Sequence, residues 1–473
     1  MRGQVLPRGE EVRDGFVFLA LATACGLALA QPRAPHEQLT FEIYRELVEI
    51  NTVHPNGDNS AAARAMARRL LDAGFDAKDV EVFEPAPRKG NLVARYRGTG
   101  ELRPLLLLAH IDVVDAKKED WSDGLDPFKL TEVDGYYYGR GTIDDKAMAA
   151  IFVANLIRYR KEGYRPKRDL IVALTADEEG GTHNGVGLLL KARRAAIDAE
   201  FALNEGGGGT WRNGKPFVHG VQVGEKFYQT YIFEARNAGG HSSVPANENA
   251  IYDLAGALER LARLEFPARV SLITRLYFAK LAQTETGSLA EAITAISRKE
   301  ASEAQMAEVS RVPRYNAQLR TTCVATRLEA GHADNALPQR ARAVVNCRLL
   351  PGDKPEMVEA ELGRVAGPRV AVAARNPVTV SEASDPESPP MKTIQRVSET
   401  MWPGIPVVPV MSTGATDGLQ LRNAGIPVYG VSGLFVEHGE IRIHGRDERL
   451  AVRSFYAGAE FLYRLVKAFG DGE

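Results

Sequence analysis

The feature that most constrains the fold is an unbroken apolar run over residues 105–109, four leucines and an alanine, followed directly by His110 and Asp112. A short run without polar alternation is typical of a strand buried on both faces of a parallel sheet. Ligands collect outside the carboxyl ends of the strands in open α/β sheets, so both polar residues lie where a binding site is expected. A buried histidine with a purely structural role is the competing interpretation.

The spacing of this pair suits metal binding. On an extended segment, side chains two residues apart point the same way. The Asp112 carboxylate can therefore orient the His110 imidazole by a hydrogen bond, while the other ring nitrogen binds a metal ion.

The length of the chain predicts more than one domain. With 473 residues it is too long for one ordinary hydrophobic core. Alternating strands and helices over 36–224 predict a mostly parallel mixed sheet covered by helices, the first part of an α/β domain. The pattern over 225–382 is typical of an inserted α+β domain with an antiparallel sheet, and 383–473 returns to the first domain. The formal net charge of -2 gives no reason to expect a nucleic-acid partner.

The N-terminus predicts export. Residues 16–30 are uncharged and mostly apolar, too short for a typical membrane span, and end in Ala28-Leu29-Ala30. We interpret residues 1–30 as a signal peptide cleaved after Ala30, which predicts a periplasmic or secreted protein. A membrane anchor, a lipoprotein cleaved before Cys25 and a start codon assigned too far upstream are the alternatives.

Two cysteines remain after such cleavage. Cys323 and Cys347 lie on two strand-like segments that flank the turn region at Asp334 and Asn335. Antiparallel pairing of these segments would bring the cysteines opposite each other, so an oxidising compartment would permit a disulfide. Two small buried thiols with no bond between them are an alternative that the sequence supports equally.

Further polar clusters follow, most of them after strand-like runs. A phosphate cradle at the glycine-rich turn 139–141 is disfavoured, because the Walker spacing is absent and adjacent carboxylates would repel phosphate. Histidines and carboxylates gathered at the strand ends of one sheet fit two divalent cations. The clusters are Gly139-Arg140-Gly141 with Asp144, Asp145 and Lys146; Asp177-Glu178-Glu179-Gly180; Asn204-Glu205-Gly206; and His444 with Asp447 and Glu448.

These motifs, in this order, resemble the M20 family of dinuclear zinc peptidases and amidohydrolases, from about residue 40 to the C-terminus. The resemblance implies two zinc ions per subunit, with cobalt or manganese as alternatives. Asp144 would bridge the two ions, Asp112 would orient His110, and Glu178 would be the general base. It also implies a cis peptide between Asp144 and Asp145. The other implied ligands are His110 and Glu205 for one ion and Glu179 and His444 for the second.

The resemblance extends to the inserted domain, 225–382, and implies that it is a lid on a catalytic domain formed by 36–224 and 383–473. His241, in Gly239-Gly240-His241-Ser242, would stabilise the oxyanion, and in dimeric members of the family this histidine comes from the partner subunit. A homodimer formed through the lid domain is therefore possible. The resemblance implies that Asn335 and Arg348 contact the substrate, and that the loop with Gly414 and Thr416 receives the substrate carboxylate. Arg348 suits the same carboxylate by paired hydrogen bonds, and a structural ion pair is the alternative for this residue. Asp115 lies where many members have proline, and Ala147 lies where many have glycine. Because neither residue is an implied ligand, these differences put the shape of the pocket in doubt and not the chemistry.

We therefore expect a zinc-dependent metallopeptidase, of the carboxypeptidase or dipeptidase kind, that hydrolyses an amide bond next to a free carboxylate. The substrate would be a small peptide. An N-acyl amino acid amidohydrolase is the alternative within the same class, with an N-acyl amino acid as substrate. An inactive binding protein of the same fold is the non-enzymatic alternative, and a phosphoesterase using the same metals is a further one.

Overall fold

The computed structural model describes residues 33–375, 379–440 and 442–473. The predicted signal peptide, residues 1–30, lies outside the described residues. Within them, no helix combines the length and the apolar character needed to cross a bilayer.

The first part of the chain alternates strands and helices, as predicted. Lys146, the first residue of the third helix, follows directly on Asp144 and Asp145, and most of that helix is buried. The elements are α1 (Pro35–Glu49), α2 (Asn59–Asp72), β1 (Val80–Phe83), β2 (Asn91–Tyr96), β3 (Leu105–His110), β4 (Thr131–Val133), β5 (Tyr136–Tyr138), α3 (Lys146–Lys161), β6 (Leu170–Thr175), α4 (Gly185–Ala192), α5 (Arg194–Ile197), β7 (Phe201–Asn204), β8 (Gly209–Arg212) and β9 (Lys215–Glu225).

The second part contains a separate antiparallel sheet. Its strands lie in the order β12, β14, β10 and β15, and the side chains of α6 and α11 pack on one face. The elements are β10 (Phe227–Arg236), β11 (Gly240–His241), α6 (Ala250–Ala262), α7 (Leu272–Leu281), α8 (Gly287–Arg298), α9 (Glu303–Ser310), α10 (Pro313–Leu319), β12 (Thr322–Ala330), β13 (Ala336–Leu337), β14 (Arg340–Leu349), α11 (Pro355–Ala366) and β15 (Val370–Ala374).

The last part returns to the first sheet. Strand β16 pairs with β9, and β17 lies between β7 and β9. The elements are α12 (Pro389–Met401), β16 (Val407–Ser412), α13 (Gly418–Asn423), β17 (Val428–Gly430), β18 (Phe435–Glu437), β19 (Arg449–Ala451) and α14 (Val452–Gly470).

The large sheet positions the site. It has ten strands, with the main path β1, β2, β6, β3, β7, β17, β9, β8 and β18 and with β16 beside β9. Strand β3 is buried at every residue and runs parallel to its neighbours β6 and β7. The predicted fold class, a mixed α/β sheet covered by helices with an additional antiparallel lid sheet, is confirmed.

The chain changes sheets between Glu225, the last residue of β9, and Phe227, the first of β10. The boundaries 36–224, 225–382 and 383–473 stay a prediction. In the lid sheet, Cys323 and Cys347 lie directly opposite each other on β12 and β14 and form a disulfide.

Candidate metal centre

Three neighbouring parallel strands bring the acidic and histidine residues together. His110 is the last residue of β3, Glu178 and Glu179 follow the end of β6, and Glu205 follows the end of β7. Because β6, β3 and β7 are adjacent and parallel, their carboxyl ends open at one edge of the sheet.

Asp144 lies at the centre of this group, between two histidines. Its Oδ1 is 2.9 Å from His110 Nε2, and its Oδ2 is 3.2 Å from His444 Nε2. His444 Nε2 is also 2.8 Å from Glu179 Oε1, and His110 Nε2 is 3.9 Å from Glu205 Oε1. The arrangement has two halves that share one carboxylate, the geometry expected of two ions bridged by Asp144.

The donor atoms are close enough for a cation. Two groups of three residues each offer ligand atoms that lie within 4.8 Å of one another. Nitrogen and carboxylate oxygen donors of this kind suit zinc and other divalent transition metals. The groups are His110 with Asp144 and Glu179, and His110 with Glu178 and Glu205.

The electrostatics of the cluster also fit a bound cation. Burial raises the pKa of the Glu205 carboxyl well above its ordinary value, and the neighbouring Asp144 and Glu178 raise it further. Hydrogen bonds to Asp144 and Glu179 raise the pKa of His444 to about 10, so protonated imidazoles offset some of the negative charge. Divalent cations among these donors would relieve the same repulsion between carboxylates.

Glu178 has the properties of a proton-transfer group. Burial raises the pKa of its carboxyl well above the usual range; His110 opposes this shift, and Asp417 and Glu179 add to it. The Asp112 carboxylate fixes the backbone here, accepting hydrogen bonds from the amides of Glu178 at 3.1 Å and Glu179 at 3.0 Å.

The contact between Asp112 and His110 differs in detail from the expected carboxylate hydrogen bond. His110 Nδ1 lies 3.0 Å from the backbone oxygen of Asp112 and 3.7 Å from its carboxylate. The carboxylate instead holds the Glu178-Glu179 turn, and burial raises its pKa to about 6. Asp112 thus connects two strand ends, which its spacing from His110 did not predict.

A buried ion pair supports the backbone at Asp144. Glu448 pairs with Arg140 and accepts hydrogen bonds from the amides of Ile143, at 3.0 Å, and Asp144, at 3.4 Å. The Arg140 guanidinium also donates to the backbone oxygen of His444 at 3.3 Å. The pair therefore connects the segments that carry Asp144 and His444. The Asp144-Asp145 peptide is cis, as the resemblance implied.

The predicted lid residues His241 and Asn335 lie close together. His241 pairs with Ala336 between β11 and β13, and the amide of Ser242 donates to the backbone oxygen of Asn335 at 3.0 Å. His241 is exposed, and its Nδ1 lies 2.8 Å from Ser243 Oγ. In the described part of the chain, neither His241 nor Asn335 makes a hydrogen bond to the cluster.

The remaining predicted substrate contacts lie at two places. The Arg348 guanidinium stands 4.9 Å from the ring centroid of Tyr228 on the lid sheet, and burial lowers its pKa. Thr416 Oγ1 lies 2.9 Å from Glu225 Oε2, and the amide of Gly414 donates to Ser412 Oγ at 3.0 Å.

Sequence reasoning missed several buried ion pairs near the site. Glu225 pairs with Arg422 at 2.8 Å, and Lys89 pairs with Asp177, the residue directly before Glu178. Lys89 Nζ is also 3.0 Å from His54 Nδ1. No local pattern marks these partners, because they are distant in sequence.

Comparison with known proteins agrees with this geometry. Residues 106–468 match the model of peptidase family M20/M25/M40. The chain is 30% identical over 380 residues to the N-fatty-acyl-amino acid synthase/hydrolase PM20D1 of Homo sapiens, which covers 77% of this chain and 74% of that protein. It is 29% identical over 408 residues to the probable carboxypeptidase S-like 2 of Dictyostelium discoideum, covering 80% of this chain and 74% of that protein.

A solved structure shares the fold. The M20 family metallo-carboxypeptidase Sso-CP2 from Sulfolobus solfataricus superposes with a TM-score of 0.68 at 17% identity, covering 91% of this chain and 99% of that one. The family match spans more than half of the chain and includes the segments that carry the histidines and carboxylates of the cluster. The chain therefore belongs to peptidase family M20/M25/M40, and it is a hydrolase of that family.

Proposed function

We propose that this protein is a zinc-dependent amidohydrolase that cleaves an amide bond adjacent to a free carboxylate, in an N-acyl amino acid or a small peptide. The observation that carries the proposal is the position of Asp144, whose two carboxylate oxygens lie 2.9 and 3.2 Å from His110 and His444. A carboxylate shared in this way suits two metal ions better than an ordinary ion pair, because each half also has a further carboxylate within 4 Å.

The donor set assigns the ligands of both ions. His110 and Glu205 would hold one ion, Glu179 and His444 would hold the other, and Asp144 would bridge them. When bound, two such ions make a water molecule acidic enough to ionise near neutral pH and polarise the carbonyl of the scissile amide.

Glu178 moves the proton in the proposed reaction. It takes the proton of the attacking water and later delivers it to the leaving nitrogen, a task for a carboxyl group beside the ligands. Asp112 supports this task because it holds the amide of Glu178 at 3.1 Å and therefore fixes the turn that presents the side chain.

The substrate carboxylate would bind to cationic and polar groups. Arg348 is suited to this because a guanidinium makes paired, charge-assisted hydrogen bonds to a carboxylate. Asn335, Gly414 and Thr416 would complete this contact. His241 would donate to the oxyanion after a movement of the lid or from the partner subunit of a homodimer, since it is exposed in the isolated chain.

Two substrate classes fit this site, and the relatives favour the acylated one. The human relative is named for N-fatty-acyl-amino acids, whereas the Dictyostelium discoideum relative is a probable carboxypeptidase. We place N-acyl amino acids first and dipeptides second. The Cys323–Cys347 disulfide supports export to an oxidising compartment, the periplasm or the exterior.

The test is the release of free amino acid from a panel of N-acyl amino acids and dipeptides, with zinc removed by a chelator and then restored. We expect turnover that disappears with the metal and returns with it. Converting the substrate carboxylate to an amide should lower kcat/KM by roughly 100-fold, because a charge-assisted contact is lost. Turnover that is insensitive to chelation would contradict the metal mechanism. Metal binding without turnover on any panel member would favour a binding protein.

A further inference from the structure

A recess next to the end of β7 is lined by none of the residues that have a role in the proposed reaction. It is a cavity of about 280 Å³ between helix α7 and the adjoining face of strands β8, β9 and β16. Valines from two strands and two side chains of α7 supply most of its apolar lining. These residues are Val218, Val408, Val410, Tyr277 and Leu281.

The recess begins one residue away from the metal cluster. Gly206, Gly207 and Gly208 form one wall, and Gly206 directly follows Glu205, whose Oε1 is 3.9 Å from His110 Nε2. Successive Cα atoms are about 3.8 Å apart, so this wall starts next to a proposed zinc ligand.

The glycines in this wall are required by close backbone approach. A Cβ on Gly207 would lie 2.1 Å from the backbone oxygen of Gly430, and one on Gly208 would lie 2.8 Å from that of Leu434. Gly206 has a φ of +99°, and a Cβ there would lie 2.1 Å from Gln222 Oε1. The three glycines therefore let this wall of the recess pack directly against the neighbouring strands.

Helix α7 is a fixed wall of the recess. Its residue Ile273 packs in the main core of the large sheet, and Arg212 on β8 donates to the backbone oxygen of Thr284, just beyond the helix, at 3.2 Å. Gln318 Nε2, on α10, donates to the backbone oxygen of Met411 on β16 at 2.9 Å. The helical segment is thus attached to the large sheet at several points.

We propose that this recess binds the acyl chain of a medium-chain N-acyl amino acid, which makes it the specificity pocket for the acyl side of the scissile bond. The proposal rests on the proposed amidohydrolase function. An engineered apolar cavity of about 150 Å³ admits benzene, with its six carbons, so about 280 Å³ accommodates roughly ten carbon atoms. The exposed Lys280 is the one charged residue in the lining, and its positive charge disfavours a cationic occupant such as a peptide N-terminus.

Apolar burial predicts how the rate depends on chain length. Each methylene moved from water into an apolar pocket favours binding about fourfold. If part of this energy is realised in the transition state, kcat/KM should rise from acetyl to decanoyl and level off once the recess is full. The substrates for this test are N-acetyl-, N-octanoyl-, N-decanoyl- and N-palmitoyl-leucine.

Variants that fill or enlarge the recess test its role. Val410→Phe and Leu281→Trp fill it from the sheet and from the helix, whereas Tyr277→Ala enlarges it. The filled variants should lower the ratio of kcat/KM for decanoyl to that for acetyl substrate by about tenfold or more, the loss of two or more buried methylenes. The enlarged variant should move the optimum to a longer chain. Val133→Phe, at an exposed position on β4, is the matched control and should keep the wild-type ratio.

The outcomes separate this inference from the proposed function. If the wild type hydrolyses neither N-acyl amino acids nor dipeptides, the proposed function fails and the inference with it. If it hydrolyses only dipeptides, or if it hydrolyses N-acyl amino acids but the ratio stays within about twofold of the wild-type value in the folded recess variants, well below the change expected from two methylenes, only the acyl pocket is overturned. Circular dichroism identifies the variants that fold. The ratio in one folded variant with a filled recess, together with the ratio in the enlarged variant, decides whether the recess binds the acyl chain.

Discussion

The cluster around Asp144 and the ion pair between Arg140 and Glu448 lie side by side, yet their charges are arranged in opposite ways. In the ion pair, a buried carboxylate faces a guanidinium and two backbone amides. In the cluster, four carboxylates gather around two histidines. Burying unpaired like charges is costly, so a folded chain keeps such a group only where a bound cation or a reaction makes use of it.

This difference suggests that the ion pair has a structural role and that the cluster has a catalytic one. The paired charges hold backbone segments in position, and we expect their loss to lower stability. The carboxylates of the cluster hold ions or move protons, and we expect their loss to lower activity with little loss of stability.

Replacing the proposed base should affect turnover most. In Glu178→Gln we expect kcat to fall about 100- to 10,000-fold, because an amide cannot accept the proton of the attacking water. Zinc content and the unfolding midpoint should stay near the wild-type values. Glu81→Gln, at an exposed position on β1, is the control and should keep full activity. A Glu178→Gln enzyme with wild-type kcat would remove the base from the mechanism.

Breaking the ion pair should affect stability instead. Glu448→Gln leaves the Arg140 guanidinium buried without its counter-charge, so we expect a loss of roughly 3 to 5 kcal/mol in the free energy of unfolding, measured by urea denaturation. The control is Glu259→Gln, which removes an exposed ion pair with Arg263 and should cost about 0.5 kcal/mol or less. Equal effects of the two substitutions would mean that burial of the pair has no structural consequence.

A third histidine, His219, has a pKa shift opposite in direction to that of His444. His219 is fully buried beside aromatic rings, with Nδ1 2.9 Å from Ser398 Oγ, and burial lowers its pKa to about 3, whereas carboxylates raise that of His444 to about 10. Because the unfolded chain protonates His219 near pH 6.5 and the folded chain near 3, its contribution to stability is complete above pH 6.5 and is lost as the pH falls.

The pH dependence of unfolding tests this contrast. Between pH 6.5 and 4.5, the unfolding free energy of the wild type should fall on average about 1.2 kcal/mol per pH unit more steeply than that of His219→Asn, which cannot bind the proton. Urea unfolding at each pH measures both slopes. Parallel slopes would show that His219 is not held in its neutral form.

Much of the site could be predicted, because short sequence patterns mark its strands and the order of these patterns along the chain indicates which strand ends meet. The apolar run before His110 marks β3, and polar residues at the ends of parallel strands must meet at one edge of the sheet. The insertion of β17 between β7 and β9 could not be predicted in the same way, since its partners lie more than 200 residues away. The pairing of Glu225 with Arg422 could not be predicted for the same reason, since the two residues are distant in sequence.

The role of Asp112 shows a finer limit. Its spacing from His110 indicates that the two residues act together, but periodicity does not decide whether the carboxylate or the carbonyl oxygen meets the imidazole. In the folded chain the carbonyl oxygen is the closer, because the carboxylate is engaged by the amides of Glu178 and Glu179. Hydrogen-bond partners of this kind depend on the neighbouring strand.

The most direct test of the account is a zinc titration of metal-free protein by calorimetry, for the wild type and for Asp144→Ala. We predict two ions per chain for the wild type and at most one for the variant, because the bridging carboxylate serves both sites. Two tightly bound ions in Asp144→Ala, or none in a folded wild-type protein, would contradict the bridged dinuclear centre.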